Sequence, residues 1–121
     1  MKENLLIDKS IVFASRIVKL YQHLTKTKKE TIISKQIIRS ATSIGANANE
    51  AIYGVSKADF ISKMKIALKE CYETEYWLEL MQKANLLPDD TVKGYLHDCG
   101  SIRRMLIASL NTAKGNTKEK N

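Results

Sequence analysis

The chain contains one proline, two cysteines, two histidines and five glycines in 121 residues, and each scarcity removes a class of structure or chemistry. The lack of prolines and of alternating β-branched runs argues against a sheet and leaves helices as the building material. Cys71 and Cys99 have no CxxC spacing and lie on apolar helical stripes, so they read as reduced core thiols rather than a disulfide or a metal site. His23 and His97 belong to no HExxH or Cys/His pattern and read as surface histidines. No GxxxxGK[ST], GxGxxG or GxSxG occurs, which removes the nucleotide-binding and serine-hydrolase motifs. Glu70, Glu73, Glu75 and Glu79 could suggest a di-iron carboxylate site, but that chemistry needs Glu-x-x-His on two helices and none is present. The expectation is a protein with no enzymatic activity, no cofactor and no metal. No run approaches the roughly 20 apolar residues that span a bilayer, and Leu5-Leu6-Ile7 is too short for a signal peptide. We therefore expect a cytoplasmic protein without a membrane partner.

Four helices account for the chain. Helix 1 is expected from about Asp8 to Thr25, with Ile11, Ala14, Val18, Tyr21 and Leu24 buried and Phe13, Ile17 and Leu20 widening the apolar face beyond what a two-helix contact needs. Helix 2 is expected from about Glu30 to Tyr53, with Gly54 as a left-handed stop. Helix 3 opens on the capping-box-like Ser56-Lys57-Ala58-Asp59 and continues to about Lys83, closed off by Asn85 and Pro88. Helix 4 starts near Pro88-Asp89-Asp90 and runs to about Ala113 on Val92, Tyr95/Leu96, Cys99, Ile102, Leu106 and Leu110. Short loops force neighbours antiparallel, so residues 1–113 should form an all-α, up-down-up-down four-helix bundle, with 114–121 as a flexible basic tail.

Helix 2 carries the most informative pattern. Gln36, Ser40, Ser43, Asn47 and Glu50 step by 4, 3, 4 and 3 along one side, beside Ile33, Ile37, Ile44, Ala48 and Ala51. Solvated faces favour Lys and Glu over Ser, Asn and Gly, so this is read as a packed seam. Gly45 in mid-helix costs about 1 kcal/mol relative to Ala, which implies that something packs close there. Arg39 and Glu50 stand about 16 Å apart on nearly one face, too far to pair. Each is expected to find a buried partner on a neighbouring helix or subunit, with Glu73 the candidate for Arg39.

Charge is uneven: residues 1–49 carry +6, residues 50–98 carry −3 and residues 99–121 carry +4, and helix 3 is expected to be the acidic one. Lys9, Arg16, Lys19, His23 and Lys26 share a side of helix 1, Lys28, Lys29 and Lys35 extend it, and Arg103-Arg104 add a second cluster. Such a footprint suits phosphate backbones, with Arg16, Lys19, Lys26, Lys28, Lys29, Arg103 and Arg104 as candidate RNA or DNA contacts. An ordinary solvated face, whose Lys stems cover apolar surface, produces the same pattern. Trp77 with Tyr72 and Tyr76 reads as a core or interface anchor rather than a base-stacking platform.

Arg39-Ser40-Ala41-Thr42-Ser43-Ile44-Gly45-Ala46-Asn47-Ala48-Asn49-Glu50, followed by Phe60, Ile66-Ala67 and Glu73, resembles the 23S rRNA-intervening-sequence protein family of small bacterial four-helix bundles. Arg39, Ser40, Ser43, Ile44, Asn47 and Glu50 match its pattern position by position. Ala48, Asn49, Ala51 and Lys69-Glu70 depart from it. The resemblance implies a homo-oligomer, a ring-like pentamer with a basic surface, and a nucleic-acid-related role. Related proteins include the accessory variability determinant of diversity-generating retroelements, which implies a reverse transcriptase as a possible partner protein. A scaffold oligomer with no nucleic-acid role is the rival expectation, its basic excess serving only solubility.

Overall fold

The structure, a computed structural model, describes residues 2–115. Four helices run in order: α1 (Lys2–Lys26), α2 (Ile32–Ile52), α3 (Lys57–Lys83) and α4 (Asp89–Ala113). The turns between them span only residues 27–31, 53–56 and 84–88, so each helix returns alongside the one before it. Side-chain pairs confirm the antiparallel sense: Arg39 meets Glu73 near one end of the α2–α3 contact, and Glu50 meets Lys63 near the other. Each helix packs on its two neighbours, α2 on α3 most extensively and α1 on α4 least, while the diagonal pairs do not meet. The result is the expected up-down-up-down bundle.

Its core is a column of aliphatic side chains, with Leu6, Ile17, Leu24, Ile37, Ile44, Met64, Leu78, Met81, Ile102 and Leu106 fully buried. The stripes expected of α2 and α4 are the ones buried, with Ile33, Tyr95 and Leu96 half-buried at the edges. Cys71 and Cys99 are buried free thiols, the Cys99 Sγ donating to the Cys71 carbonyl at 3.6 Å. Contact with Cys71 first, then burial, pushes the Cys99 thiol up.

Helix α1 differs from expectation in extent and rotation. It begins at Lys2 rather than Asp8, because Leu6 is fully buried and holds the first turns in the helix. The buried face is Leu6, Ser10, Phe13, Ile17, Leu20 and Leu24, whereas Ile11 and Val18 are 61% and 39% exposed. Ala14 and Tyr21 lie half-buried at the margin. The rotation follows from Gly45. A Cβ built there would stand 2.7 Å from the Ser10 Oγ and 3.1 Å from the Ser10 Cβ, so glycine lets α1 and α2 approach at Ser10. That contact turns the Phe13–Leu24 stripe inward and Ile11 and Val18 outward. The close approach inferred from Gly45 is thus present.

The ends of α2 also differ. Glu30 lies before the helix rather than in it, and its carboxylate accepts from the amides of Ile32, Ile33 and Ser34 at 3.0, 2.9 and 2.8 Å. Three otherwise unpaired N–H groups are satisfied by one side chain. Gly54 is not left-handed: positive φ occurs at Lys29 (59°), Asn85 (59°) and Gly115 (78°), so the turn after α2 closes without a left-handed glycine. Ser56 caps α3 as expected, its Oγ accepting from the Asp59 amide at 3.0 Å. Of the expected 114–121 tail, Lys114 and Gly115 follow α4, and 116–121 lie outside the described residues.

Burial acts to raise the Glu30 pKa, but the bonds from Ile33, Ser34 and Ile32 together hold it below the usual carboxylate range. A depressed carboxylate stabilises the fold above its unfolded pKa and stops doing so as pH falls through its folded pKa. Replacing Glu30 with Ala should cost about 1–2 kcal/mol at neutral pH, as the loss of a charged cap does. The difference from wild type should shrink as the pH falls below the ordinary carboxylate value of 4.5, measured as paired melting curves.

Candidate nucleic-acid interface

Each cation's role depends on the carboxylate the fold sets beside it. Arg16 on α1 is ion-paired with Asp98 of α4 and its guanidinium lies 4.8 Å from the centroid of the Tyr95 ring, so it ties the loosest helix pair together. Arg103 on α4 donates from Nε to Glu75 Oε2 of α3 at 3.1 Å, and this bond foremost holds its pKa above the ordinary arginine value. The two are neutralised within the bundle. Lys19, Lys26, Lys28 and Lys29 are exposed, and no carboxylate lies within 4.0 Å of their amines among the described residues. Lys29 adopts positive φ in the turn, and the nearest acid in sequence, Glu30, faces the α2 amides. Arg104 is exposed on α4.

These four lysines follow α1 to its C-terminus and round the turn into α2, at the end of the bundle where Lys28 shares a hollow with Asn85, Leu87 and Pro88 of the α3–α4 turn and Asp89 at the start of α4. His23, on the same stripe, is exposed, as is His97. Beside the stripe, α1 and α4 leave a cleft of about 380 Å³ lined by Val12, Phe13, Ile102, Arg16, His97 and Asp98. Leu5, Ile11, Val12 and Val18 place further apolar surface on the outside of α1. No group of His, Cys, Asp and Glu able to hold a metal occurs among the described residues.

The signature residues of α2 act chiefly on α3. Arg39 forms ion pairs with Glu73 and, at 3.4 Å, with Glu70, and Glu73 also accepts from the Trp77 indole at 3.2 Å. The bond from Arg39, against burial, lowers the Glu73 pKa. Ser40 and Thr74 are buried and share a hydroxyl–hydroxyl bond at 2.8 Å, with Thr74 also 2.8 Å from the Glu70 carbonyl. Ser43 donates to the Arg39 carbonyl and Asn47 to that of Ser43, so both are satisfied within α2 and half-buried. The seam is packed at its centre and solvated at Gln36 and Glu50.

The partner expected for Arg39 is therefore found, but the buried network is not. Arg39 is 49% exposed, and the Glu50 side chain is 59% exposed while meeting Lys63 at 3.1 Å. Solvent screens such pairs to under about 1 kcal/mol, so Glu50→Ala should leave the melting temperature nearly unchanged; a cooperative loss of stability would contradict the exposed pair.

The aromatic residues of α3, expected as a core or interface anchor, are not all in the core. Trp77 is half-buried, but Tyr72 and Tyr76 are 52% and 58% exposed. Their positions relative to Lys65, Lys69 and Lys83, at spacings of 4, 3, 4 and 7, were the signal that could have placed them on the outer face.

Among curated proteins, none matches this sequence. A crystal structure from Bacteroides thetaiotaomicron VPI-5482, described as a protein with unknown function from the S23 ribosomal protein family, superposes with a TM-score of 0.90 at 48% identity, covering 92% of this chain and 99% of that one. The family model for the 23S rRNA-intervening sequence protein matches residues 2–108, which contain all four interlocked helices except the end of α4, and the chain belongs to that family.

Proposed function

We propose that this protein is a non-enzymatic homo-oligomer that binds RNA or DNA backbones through the lysine surface of α1 and the α1–α2 turn. The observation that carries the reading is the contrast between paired and unpaired cations. Arg16 and Arg103 are matched to carboxylates, whereas Lys19, Lys26, Lys28 and Lys29 are exposed without one. Unmatched amines in a row raise the local potential and release counterions when phosphates replace them. Arg104 is a further exposed cation, on α4, and with Arg16 and Arg103 paired the proposed set is smaller than the sequence suggested.

Self-association is supported by a separate observation: Leu5, Ile11, Val12 and Val18 lie exposed on α1. A patch repeated on every copy is satisfied by closed cyclic symmetry, and a pentameric ring is the form the family resemblance suggests. The same apolar patch favours a second reading, a scaffold for a partner protein, with a reverse transcriptase the candidate that the resemblance offers. Fluorescence anisotropy with labelled RNA and duplex DNA, at low and at physiological salt, tests the first reading on material whose mass is known from light scattering. An intact oligomer that binds neither at low salt would reject it and leave the scaffold reading.

A further inference from the structure

The outer face of α3 is not acidic. Glu70 and Glu73 are engaged by Arg39 on the α2 side, and Glu75 is engaged by Arg103 on the α4 side. Outward along the helix lie Lys65, Lys69, Tyr72, Tyr76 and Lys83, all exposed, with Glu79 the exposed carboxylate among them and Ser62 and Ile66 exposed at the N-terminal end of the same side. Their spacing places them in one stripe along the helix. Arg103 lies 5.9 Å from the Tyr72 ring centroid and Trp77 packs edge-on against Tyr76 at 4.9 Å, so each phenol is braced from one side while more than half of its surface stays open.

We propose that this stripe binds single-stranded nucleic acid, with bases stacking on Tyr72 and Tyr76 and phosphates meeting Lys65, Lys69 and Lys83. Exposed phenols flanked by amines on both sides complement a strand that offers unpaired base faces and a regular line of negative charge. Tyr72 and Tyr76 are one helical turn apart, about 6 Å along the axis, so two successive bases can each meet a ring when the strand is extended. A duplex buries its base faces and can use only the lysines. The inference rests on the nucleic-acid reading above and adds to it a preference for single strands, on a second face of the bundle.

The test is anisotropy with a mixed-sequence single-stranded RNA and the duplex of the same sequence, on wild type, Tyr72→Ala/Tyr76→Ala and Tyr72→Phe/Tyr76→Phe. Losing two stacking rings should weaken single-strand binding by about tenfold or more, leave duplex binding unchanged, and be largely restored by phenylalanine. Circular dichroism and light scattering check that helicity and mass are kept. An altered mass would make the tyrosines anchors between copies and overturn the proposal. So would unchanged single-strand affinity in the alanine variant, but if Lys19, Lys26, Lys28 and Lys29 then prove necessary, the lysine surface of α1 stands by itself. Failure of wild type to bind either RNA overturns both.

Discussion

Replacing Gly45 with valine should lower the melting temperature by about 10 °C, corresponding to a loss of about 3 kcal/mol, the upper part of the usual range for overpacking. The site admits no Cβ without movement, since one would stand 2.7 Å from the Ser10 Oγ and 3.1 Å from the Ser10 Cβ. Ser10 is itself buried and donates to the Ile7 carbonyl at 2.8 Å, so turning its hydroxyl away breaks a bond inside the bundle. Alanine is a milder case because its better helix propensity returns about 1 kcal/mol. The two effects separate in a double-mutant cycle. Gly45→Ala should destabilise wild type yet stabilise a Ser10→Gly background, where the opposing side chain is gone. The same sign in both backgrounds, by thermal or urea unfolding, would show that the α1–α2 approach is not governed by this contact.

The second large effect concerns binding. Changing Lys19, Lys26, Lys28 and Lys29 together to glutamine should weaken RNA binding by about 10²-fold or more near physiological salt and reduce the log–log salt slope by about 3, at roughly 0.7–0.9 per phosphate contact. All four are exposed and outside the core, so helicity and mass should be retained. If the protein is a ring, identical surfaces act multivalently and the loss is larger still. Arg16→Gln is the contrasting variant: its guanidinium is already matched to Asp98 and set against Tyr95, so the slope should scarcely change. A quadruple variant with wild-type affinity and slope would move the contact surface elsewhere.

Four helices, their short turns and the buried stripes of α2 and α4 follow from residue order alone, because periodicity and capping act within one helix. Gly45 announced a close approach and Arg39 its Glu73 partner for a similar reason: a mid-helix glycine and an unpaired cation each need a neighbour that local sequence does not supply. Helix α1 shows where this stops. Its apolar residues are spread widely enough to support two overlapping faces, Ile11–Val18 or Phe13–Ile17–Leu20–Leu24, and nothing within α1 chooses between them. Contact with Ser10 and Gly45 across the α1–α2 interface made the choice. Charge obeys the same division. Composition leaves α3 formally neutral, with five lysines against five carboxylates, and packing set Glu70, Glu73 and Glu75 against arginines of α2 and α4 and left lysines and tyrosines outward. Whether a charge faces solvent or a counter-ion depends on partners 28 to 82 positions away in sequence, and only the assembled bundle brings those partners within reach.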